Sequence, residues 1–123
     1  MTRKVSSLNK TWVFDIDGTI VKHNGYKLDG NDALLEGAAE FFAALPRDDM
    51  VVLITSRSEE YKAATEAFLS EKGIRFDAVI YNAPYGERIL INDAKPSGLP
   101  TAIAVNTRRD EFMREVFEID SQL

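Results

Sequence analysis

Short apolar runs alternate along the chain with stretches that are apolar on one helical face only. The apolar and β-branched runs predict five strands, at residues 11–16, 50–54, 76–81, 89–91 and 101–105. Stripes at helical spacing predict three helices, over residues 34–45, over residues 58–72, and near the C-terminus on Phe112, Val116 and Ile119. Residues 1–10 are interpreted as a polar lead-in to the first strand.

The order of these elements predicts the fold class. Strands that alternate with helices favour an α/β domain built on a mainly parallel, five-stranded sheet. Residues 50–54 are apolar at every position, as in a central strand covered on both faces. The dipeptide Asn24-Gly25 is a hairpin signal and predicts a small flap over about residues 20–32. With 123 residues, the chain is interpreted as one domain, residues 1–123.

Composition and charge exclude several classes of function. The net charge of −5 provides no general basic surface, so we expect neither nucleic acid nor a membrane as a partner. The absence of cysteine excludes disulfides, thiolate catalysis and cysteine-based zinc sites, and a single histidine, His23, excludes a histidine-rich metal site. No apolar run approaches the roughly 20 residues of a membrane span, and no signal peptide is recognisable. A cytoplasmic location is expected.

Polar residues follow three of the predicted strands at the point where each strand ends. They are Asp15 and Asp17 after the first strand, residues 55–57 after the second, and residues 92–93 after the fourth. In an extended chain, residues two positions apart point to the same side, and ligands of parallel sheets bind beyond the carboxyl ends of the strands. Two close carboxylates repel each other, so they either bind a cation or one of them has a raised pKa. The oxygen-rich set of Asp15, Asp17 and Asp93 suits Mg²⁺ rather than a transition metal.

The first acidic pair has two other interpretations. A calcium loop of the EF-hand type needs a glycine at its sixth position and a glutamate at its twelfth, where this chain has Ile20 and Tyr26. The calcium interpretation therefore fails. Simple capping of a turn by Asp15 and Asp17 is the second alternative. It does not account for two acids directly after an apolar strand and before Gly18.

These residues resemble the motifs of a known family. Residues 14–20, FDIDGTI, resemble the first motif of the haloacid dehalogenase (HAD) superfamily of phosphotransferases. Residues 51–55 resemble its second motif, an apolar strand that ends in serine or threonine, and residues 89–93 resemble its fourth, an apolar strand that ends in acids. The matches run from residue 11 to about residue 105. The resemblance implies a Rossmann-like three-layer sandwich with a minimal flap and no large cap.

The resemblance also implies a role for each matched residue. Asp15 would be the nucleophile that forms an aspartyl-phosphate, and Asp17 would protonate the leaving oxygen and then take a proton from water. Thr55 and the backbone N–H groups around Gly18 would hold the phosphoryl oxygens. Mg²⁺ would be bound by Asp15, by the main-chain carbonyl of Asp17 and by Asp93.

The third motif of the superfamily departs from its usual form in this chain. That motif supplies a lysine or arginine, whereas residues 81–88 have an alanine where related small members have a lysine before proline. Lys95, which follows Asp93 by two positions, is the candidate replacement, and Arg57 and Arg88 are alternatives. Each could instead be an ordinary solvated or ion-paired surface residue. Without such a cation at the site, activity would be weak or the chain would be a non-catalytic relative.

The resemblance implies a small capless phosphatase that hydrolyses a phosphomonoester with Mg²⁺. Ser56, Arg57, Gly18 and His23 are the candidate substrate-binding residues, although His23 could also be an exposed flap residue. Tyr85 either stacks on a sugar or base or is an ordinary rim tyrosine. Residues 90–99 resemble members associated with surface-polysaccharide and sugar-phosphate biosynthesis, which places phosphosugars ahead of nucleotides. The open site would fit a large substrate or a homo-oligomer, and a non-catalytic HAD-like module that binds phosphate or a protein is the alternative.

Overall fold

The computed structural model of the protein describes residues 1–28 and 30–123, so position 29 of the predicted flap lies outside the described residues. The described elements, in chain order, are β1 (Thr2–Val5), β2 (Thr11–Asp15), α1 (Gly25–Leu28), α2 (Ala38–Ala44), β3 (Met50–Ile54), a 3₁₀ turn (Glu59–Tyr61), α3 (Lys62–Glu71), β4 (Ala78–Ile80) and β5 (Val116–Ile119). Strands and helices alternate in the middle of the chain, as the apolar pattern predicts.

The described strands form two parallel sheets. Strands β2, β3 and β4 are neighbours in that order, with Phe14 opposite Leu53 and Leu53 opposite Val79. Strands β1 and β5 form a separate pair in which Val5 lies opposite Ile119. The predicted α/β class with parallel strands is therefore confirmed. A single five-stranded sheet is not confirmed, because the five strands divide into groups of three and two.

The largest errors of prediction fall in the last third of the chain. Residues 89–91 and 101–105 form no strand, and Ile89 and Ile91 are 81% and 88% exposed. The predicted C-terminal helix is also wrong, because Val116–Ile119 pairs with Thr2–Val5 as a strand. Residues 1–10, which were predicted to be a polar lead-in, therefore contain strand β1. A short apolar run is equally compatible with a strand, a helix or an exposed segment until its neighbours are known.

The core lies on one face of the three-stranded sheet. Alternate residues of β2 and β3 are buried there, and the ring centroid of Phe14 lies 4.9 Å from that of Phe42 in α2. The same cluster includes Leu69 from α3 and Ile74 beyond it. The opposite face is incompletely covered, since Val13 is 54% exposed. Residues 50–54 form the central strand of the three, as predicted, but only Val51 and Leu53 are buried, and Val52 and Ile54 are half-buried, so the second face is only partly covered.

Both helices that connect the sheet strands were predicted, and their ends have local causes. Helix α2 begins after Gly37, whose φ of 94° suits glycine, and it stops before Pro46. Its start is later than predicted because Leu34 is paired with Val21 in an isolated bridge. Helix α3 is followed by Gly73 with φ of 79°, the left-handed residue that commonly ends a helix.

The predicted flap has a different local structure from a hairpin. Asn24 adopts a positive φ of 54°, and the next residues, Gly25–Leu28, form the short helix α1. The described part of this segment is joined to the body by bridges from Val21 to Asp17 and to Leu34. Within the described parts of the chain, no helix combines the length and the hydropathy that crossing a bilayer requires.

Candidate functional site

An open cavity of about 560 Å³ lies beyond the carboxyl ends of β2 and β3, where parallel strands place ligands. Parallel pairing in register brings Asp15, the last residue of β2, opposite Ile54 at the end of β3. The cavity is lined by Asp15, Asp17, His23, Asn24, Tyr26, Lys27, Ser56, Arg57, Tyr85, Gly86, Arg88 and Arg109. The structure therefore brings together both acids of the first motif, two of the predicted substrate-binding residues after β3, and the flap histidine.

The carboxylate of Asp15 is partly exposed and is held by two donors. The hydroxyl of Thr19 donates to Oδ2 at 3.2 Å, and Nη1 of Arg88 donates to Oδ1 at 2.8 Å. The side chains of Asp15 and Arg88 are 36% and 38% exposed, so both remain accessible from the cavity. A cation thus lies directly beside the predicted nucleophile.

Arg88, and not Lys95, lies at this position. Lys95 is an exposed residue of a turn, in which its N–H donates to the carbonyl of Leu99 and its carbonyl accepts from the N–H of Gly98. It is absent from the lining of the cavity in the described structure. Arg88 was only an alternative in the sequence interpretation, because nothing local distinguishes it from other arginines.

Arg57 is a buried residue that forms ion pairs with two carboxylates, and it is not a surface cation. Its Nε and Nη2 donate to the two oxygens of Asp17 at 3.0 and 2.9 Å, and its two terminal nitrogens donate to Asp32 at 3.0 and 2.7 Å. Nη1 also donates to the hydroxyl of Thr65, and the guanidinium lies 3.9 Å from the ring centroid of Tyr26. Burial opposes the charge, but the hydrogen bonds to Asp32 and Asp17 outweigh it, so the pKa of Arg57 is raised.

The residues predicted to bind phosphoryl oxygens have different positions. Thr55 is fully buried, and its hydroxyl accepts from the N–H of Arg57 at 3.0 Å, so it does not line the cavity. Ser56, the next residue, does line it. The prediction that Ser56 faces the site is consistent with this position, whereas Thr55 is turned into the core.

Gly18 shapes the turn after Asp15 without lining the cavity. Its φ of +80° is one that glycine adopts without strain, and its N–H donates to the carbonyl of Val21 at 2.7 Å. The N–H of Thr19 likewise donates to the carbonyl of Ile16. These two backbone groups therefore hold the turn in this structure, although the sequence interpretation expects the turn to donate to a phosphoryl group.

His23 and Arg109 reach the cavity through contacts between distant parts of the chain. The N–H of His23 donates to Oδ1 of Asp110 at 2.6 Å, and the N–H of Asp110 donates to the carbonyl of Gly18 at 2.8 Å. These hydrogen bonds place the neighbouring Arg109 at the cavity wall. Sequence reasoning missed Arg109, since a charged pair in a loop carries no signal of its position.

The predicted Mg²⁺ ligands are only partly assembled. Asp15 and Asp17 line the cavity, but Asp93 is exposed and does not line it. No group of three acidic or histidine side chains arranged for a metal ion occurs among residues 1–28 and 30–123. The oxygens of both lining carboxylates accept hydrogen bonds from arginine. The described donors therefore do not reproduce the three-acid set that the sequence predicts.

No protein-family model matches the chain, and no curated protein matches it. Among solved structures, the chain is similar to a chain in the structure of the Pnkp1/Rnl/Hen1 RNA repair complex, with a TM-score of 0.52 and 26% sequence identity. The similarity covers 70% of this chain and 30% of that chain, so this chain spans less than a third of its neighbour's length. The likeness supports the α/β arrangement over the matched part.

Proposed function

We propose that the protein is a phosphomonoester hydrolase of the HAD type, with Asp15 as its nucleophile. The observation that carries the proposal is the accessible Asp15 carboxylate at the carboxyl end of a parallel strand, 2.8 Å from Nη1 of Arg88. A carboxylate attacks phosphorus only where cationic groups offset the charge of the phosphate. Arg88 supplies such a group at the required place.

The proposed reaction has two steps. An oxygen of Asp15 attacks phosphorus, and the bond from phosphorus to the ester oxygen breaks. Asp17 gives a proton to the leaving oxygen, and it carries that proton only after one of its oxygens is released from its hydrogen bond to Arg57. Water then attacks the phosphorus of the aspartyl-phosphate, Asp17 takes the proton from that water, and inorganic phosphate leaves. Arg57 orients the Asp17 side chain through its two hydrogen bonds. Arg88 stabilises the charge on the transferring group.

Mg²⁺ and the Rossmann-like three-layer arrangement remain parts of the proposal that come from the sequence resemblance. Asp15 would hold the ion with its carboxylate and Asp17 with its main-chain carbonyl, and Mg²⁺ is commonly bound by one or two carboxylates together with substrate phosphate. Asp93 does not reach the described cavity. When bound, the ion would supply charge neutralisation beside the phosphate. A cytoplasmic location and a homo-oligomer also remain predictions.

Phosphosugars are the proposed substrates, again on the resemblance of residues 90–99. Phosphate esters of RNA are the second class, favoured by the similarity to a chain of an RNA repair complex. A non-catalytic module that binds phosphate or a protein is the alternative function. Its supporting observation is that Asp15 and Asp17 are both engaged by arginines in the described structure.

The test is phosphate release from an aryl phosphate, with and without added Mg²⁺, by the wild-type protein and by Asp15→Asn. We expect release by the wild-type protein and a loss of at least about 1,000-fold in Asp15→Asn, because the amide is not a nucleophile. Asp48→Asn, an exposed acid outside the cavity, is the matched control and should keep wild-type activity. Equal release by wild type and Asp15→Asn would refute Asp15 as the nucleophile, and no release from any phosphomonoester would favour the non-catalytic module.

A further inference from the structure

The cavity contains more basic side chains than the reaction centre uses. Lys27, Arg57, Arg88 and Arg109 line it together with only two carboxylates. Arg57 is committed to Asp17 and Asp32, and Arg88 is paired with Asp15. Arg109 has neither an ion pair nor a hydrogen bond to another side chain in the described ranges. Lys27 has no carboxylate partner among the described residues, although its Nζ lies 5.6 Å from the ring centroid of Tyr26. In a protein with net charge −5, this cavity therefore contains basic side chains that no carboxylate neutralises.

Arg109 is held over the turn that follows the nucleophile. Its neighbour Asp110 donates its N–H to the carbonyl of Gly18 and accepts the N–H of His23, which joins the loop to that turn. A Cβ atom on Gly18 would lie only 3.1 Å from Cγ of Arg109, so the arginine stem packs directly on the glycine. The Arg109 stem therefore lies on the turn that follows Asp15, and both residues line the same cavity.

We propose that Arg109, with Lys27, binds a second phosphate group of the substrate, next to the phosphomonoester that Asp15 attacks. The inference rests on the proposed hydrolase function and narrows its substrate class to compounds with two phosphate groups. A guanidinium presents paired donors that match phosphate geometry, and it stays charged at every working pH. The cavity of about 560 Å³ has room for much more than one phosphate group.

Two kinds of compound carry this chemistry, and Tyr85 distinguishes them. A sugar bisphosphate offers a second phosphate and no aromatic ring, whereas a nucleoside bisphosphate offers both. The ring of Tyr85 lines the same cavity and is 89% exposed, so its face is available for a base. Base stacking on an aromatic side chain contributes measurable affinity regardless of the base. Tyr85→Ala should therefore lower the affinity for the nucleoside bisphosphate more than that for the sugar bisphosphate if the base stacks on this ring.

The experiment compares kcat/KM for a hexose bisphosphate, a nucleoside 3′,5′-bisphosphate and a one-phosphate aryl ester. In Arg109→Ala, we expect the ratio of kcat/KM for the better bisphosphate to that for the aryl ester to fall by about 10- to 100-fold. Arg108→Ala is the matched control: its side chain is 87% exposed, is paired with Glu111 and lines a separate cavity of about 180 Å³. It should leave the ratio and both rates unchanged.

An unchanged ratio in Arg109→Ala, or an equal fall in Arg108→Ala, would overturn the inference. Failure of the hydrolase proposal is separable, because binding of the two bisphosphates can be measured by calorimetry without turnover. If the wild-type protein hydrolyses nothing but binds a bisphosphate about 10-fold or more tightly than Arg109→Ala does, the subsite stands and the hydrolase proposal falls. If neither bisphosphate binds better than inorganic phosphate, the subsite is refuted.

Discussion

At the scale of single residues, the site depends on which arginine meets which carboxylate. Arg57 engages both oxygens of Asp17 from a buried position, and Arg88 engages one oxygen of Asp15 from a partly exposed position. The first pair resists solvent and holds its geometry, whereas the second is open to exchange with a ligand. This difference suits a fixed Asp17 side chain beside a nucleophile whose cation must turn towards the phosphate.

Arg88 should therefore contribute more to turnover than Lys95. We expect Arg88→Ala to lower kcat/KM for an aryl phosphate by about 100-fold, the usual loss when one donor to a transition-state oxygen is removed. Lys95→Ala should lose far less, because Lys95 belongs to an exposed turn. Steady-state kinetics on both variants provide the comparison. A larger loss of kcat/KM in Lys95→Ala than in Arg88→Ala would contradict this assignment and would support Lys95 as the cation of the third motif.

At the scale of elements, Asp49 joins the segment before β2 to the turn before β3. Its buried carboxylate accepts from the side chain of Asn9, the N–H of Lys10 and the indole of Trp12, at 2.9 to 3.0 Å. Burial opposes ionisation of Asp49, but these hydrogen bonds outweigh it and hold its pKa below the ordinary 3.8. The ionised carboxylate therefore stabilises the start of the three-stranded sheet.

Because the pKa of Asp49 is lowered in the folded protein, the free energy of unfolding depends on pH in the acidic range. The contribution of Asp49 is complete above the unfolded-state pKa of 3.8, and it is lost as the pH falls below that value through the lower folded-state pKa. Asp49→Asn should reduce the free energy of unfolding at pH 7 by about 1–3 kcal/mol and should flatten its fall below pH 4. Denaturant unfolding at several pH values measures both effects. The exposed Asp48→Asn should change neither, and an identical pH profile in both variants would contradict the assignment.

At the scale of the whole molecule, stability is concentrated in one aromatic and aliphatic cluster. The ring centroid of Phe14 lies 4.9 Å from that of Phe42 and 6.3 Å from that of Phe112, on which the ring stacks. Phe14 therefore joins β2, α2 and the C-terminal part of the chain. Residues 89–91, although equally apolar in sequence, are exposed. Apolar side chains that water still contacts contribute little to the free energy of folding.

Substitutions in the buried cluster and in residues 89–91 should differ in their effect on the free energy of unfolding. Phe14→Ala should lower the free energy of unfolding by about 3–5 kcal/mol, since it removes a buried aromatic ring and leaves a cavity. Ile89→Ala should change it by no more than about 0.5 kcal/mol, because its side chain is already solvated. Chemical denaturation measures both. A cost of 2 kcal/mol or more for Ile89→Ala would mean that residues 89–91 pack in the native protein.

Local periodicity in the sequence determines several of the helices and strands. Strands β2 and β3, helices α2 and α3, and the placement of Asp15 and Asp17 at the end of one strand follow from patterns a few residues long. A glycine such as Gly73 ends a helix through its own left-handed backbone conformation, so this helix end is also predictable from the local sequence. The strand ends that line the cavity were accordingly identified from the sequence.

Tertiary structure alone decides the contacts between distant segments. Arg88 and Asp15 are 73 positions apart, and β1 pairs with β5 from opposite ends of the chain. A strand needs a partner as well as apolar residues, so residues 89–91 and 116–119 could not be assigned by their composition. The sequence by itself therefore determined the acids of this site and the strand that presents them. Only the folded chain decided which cations surround them, because ion pairs select partners by distance in space.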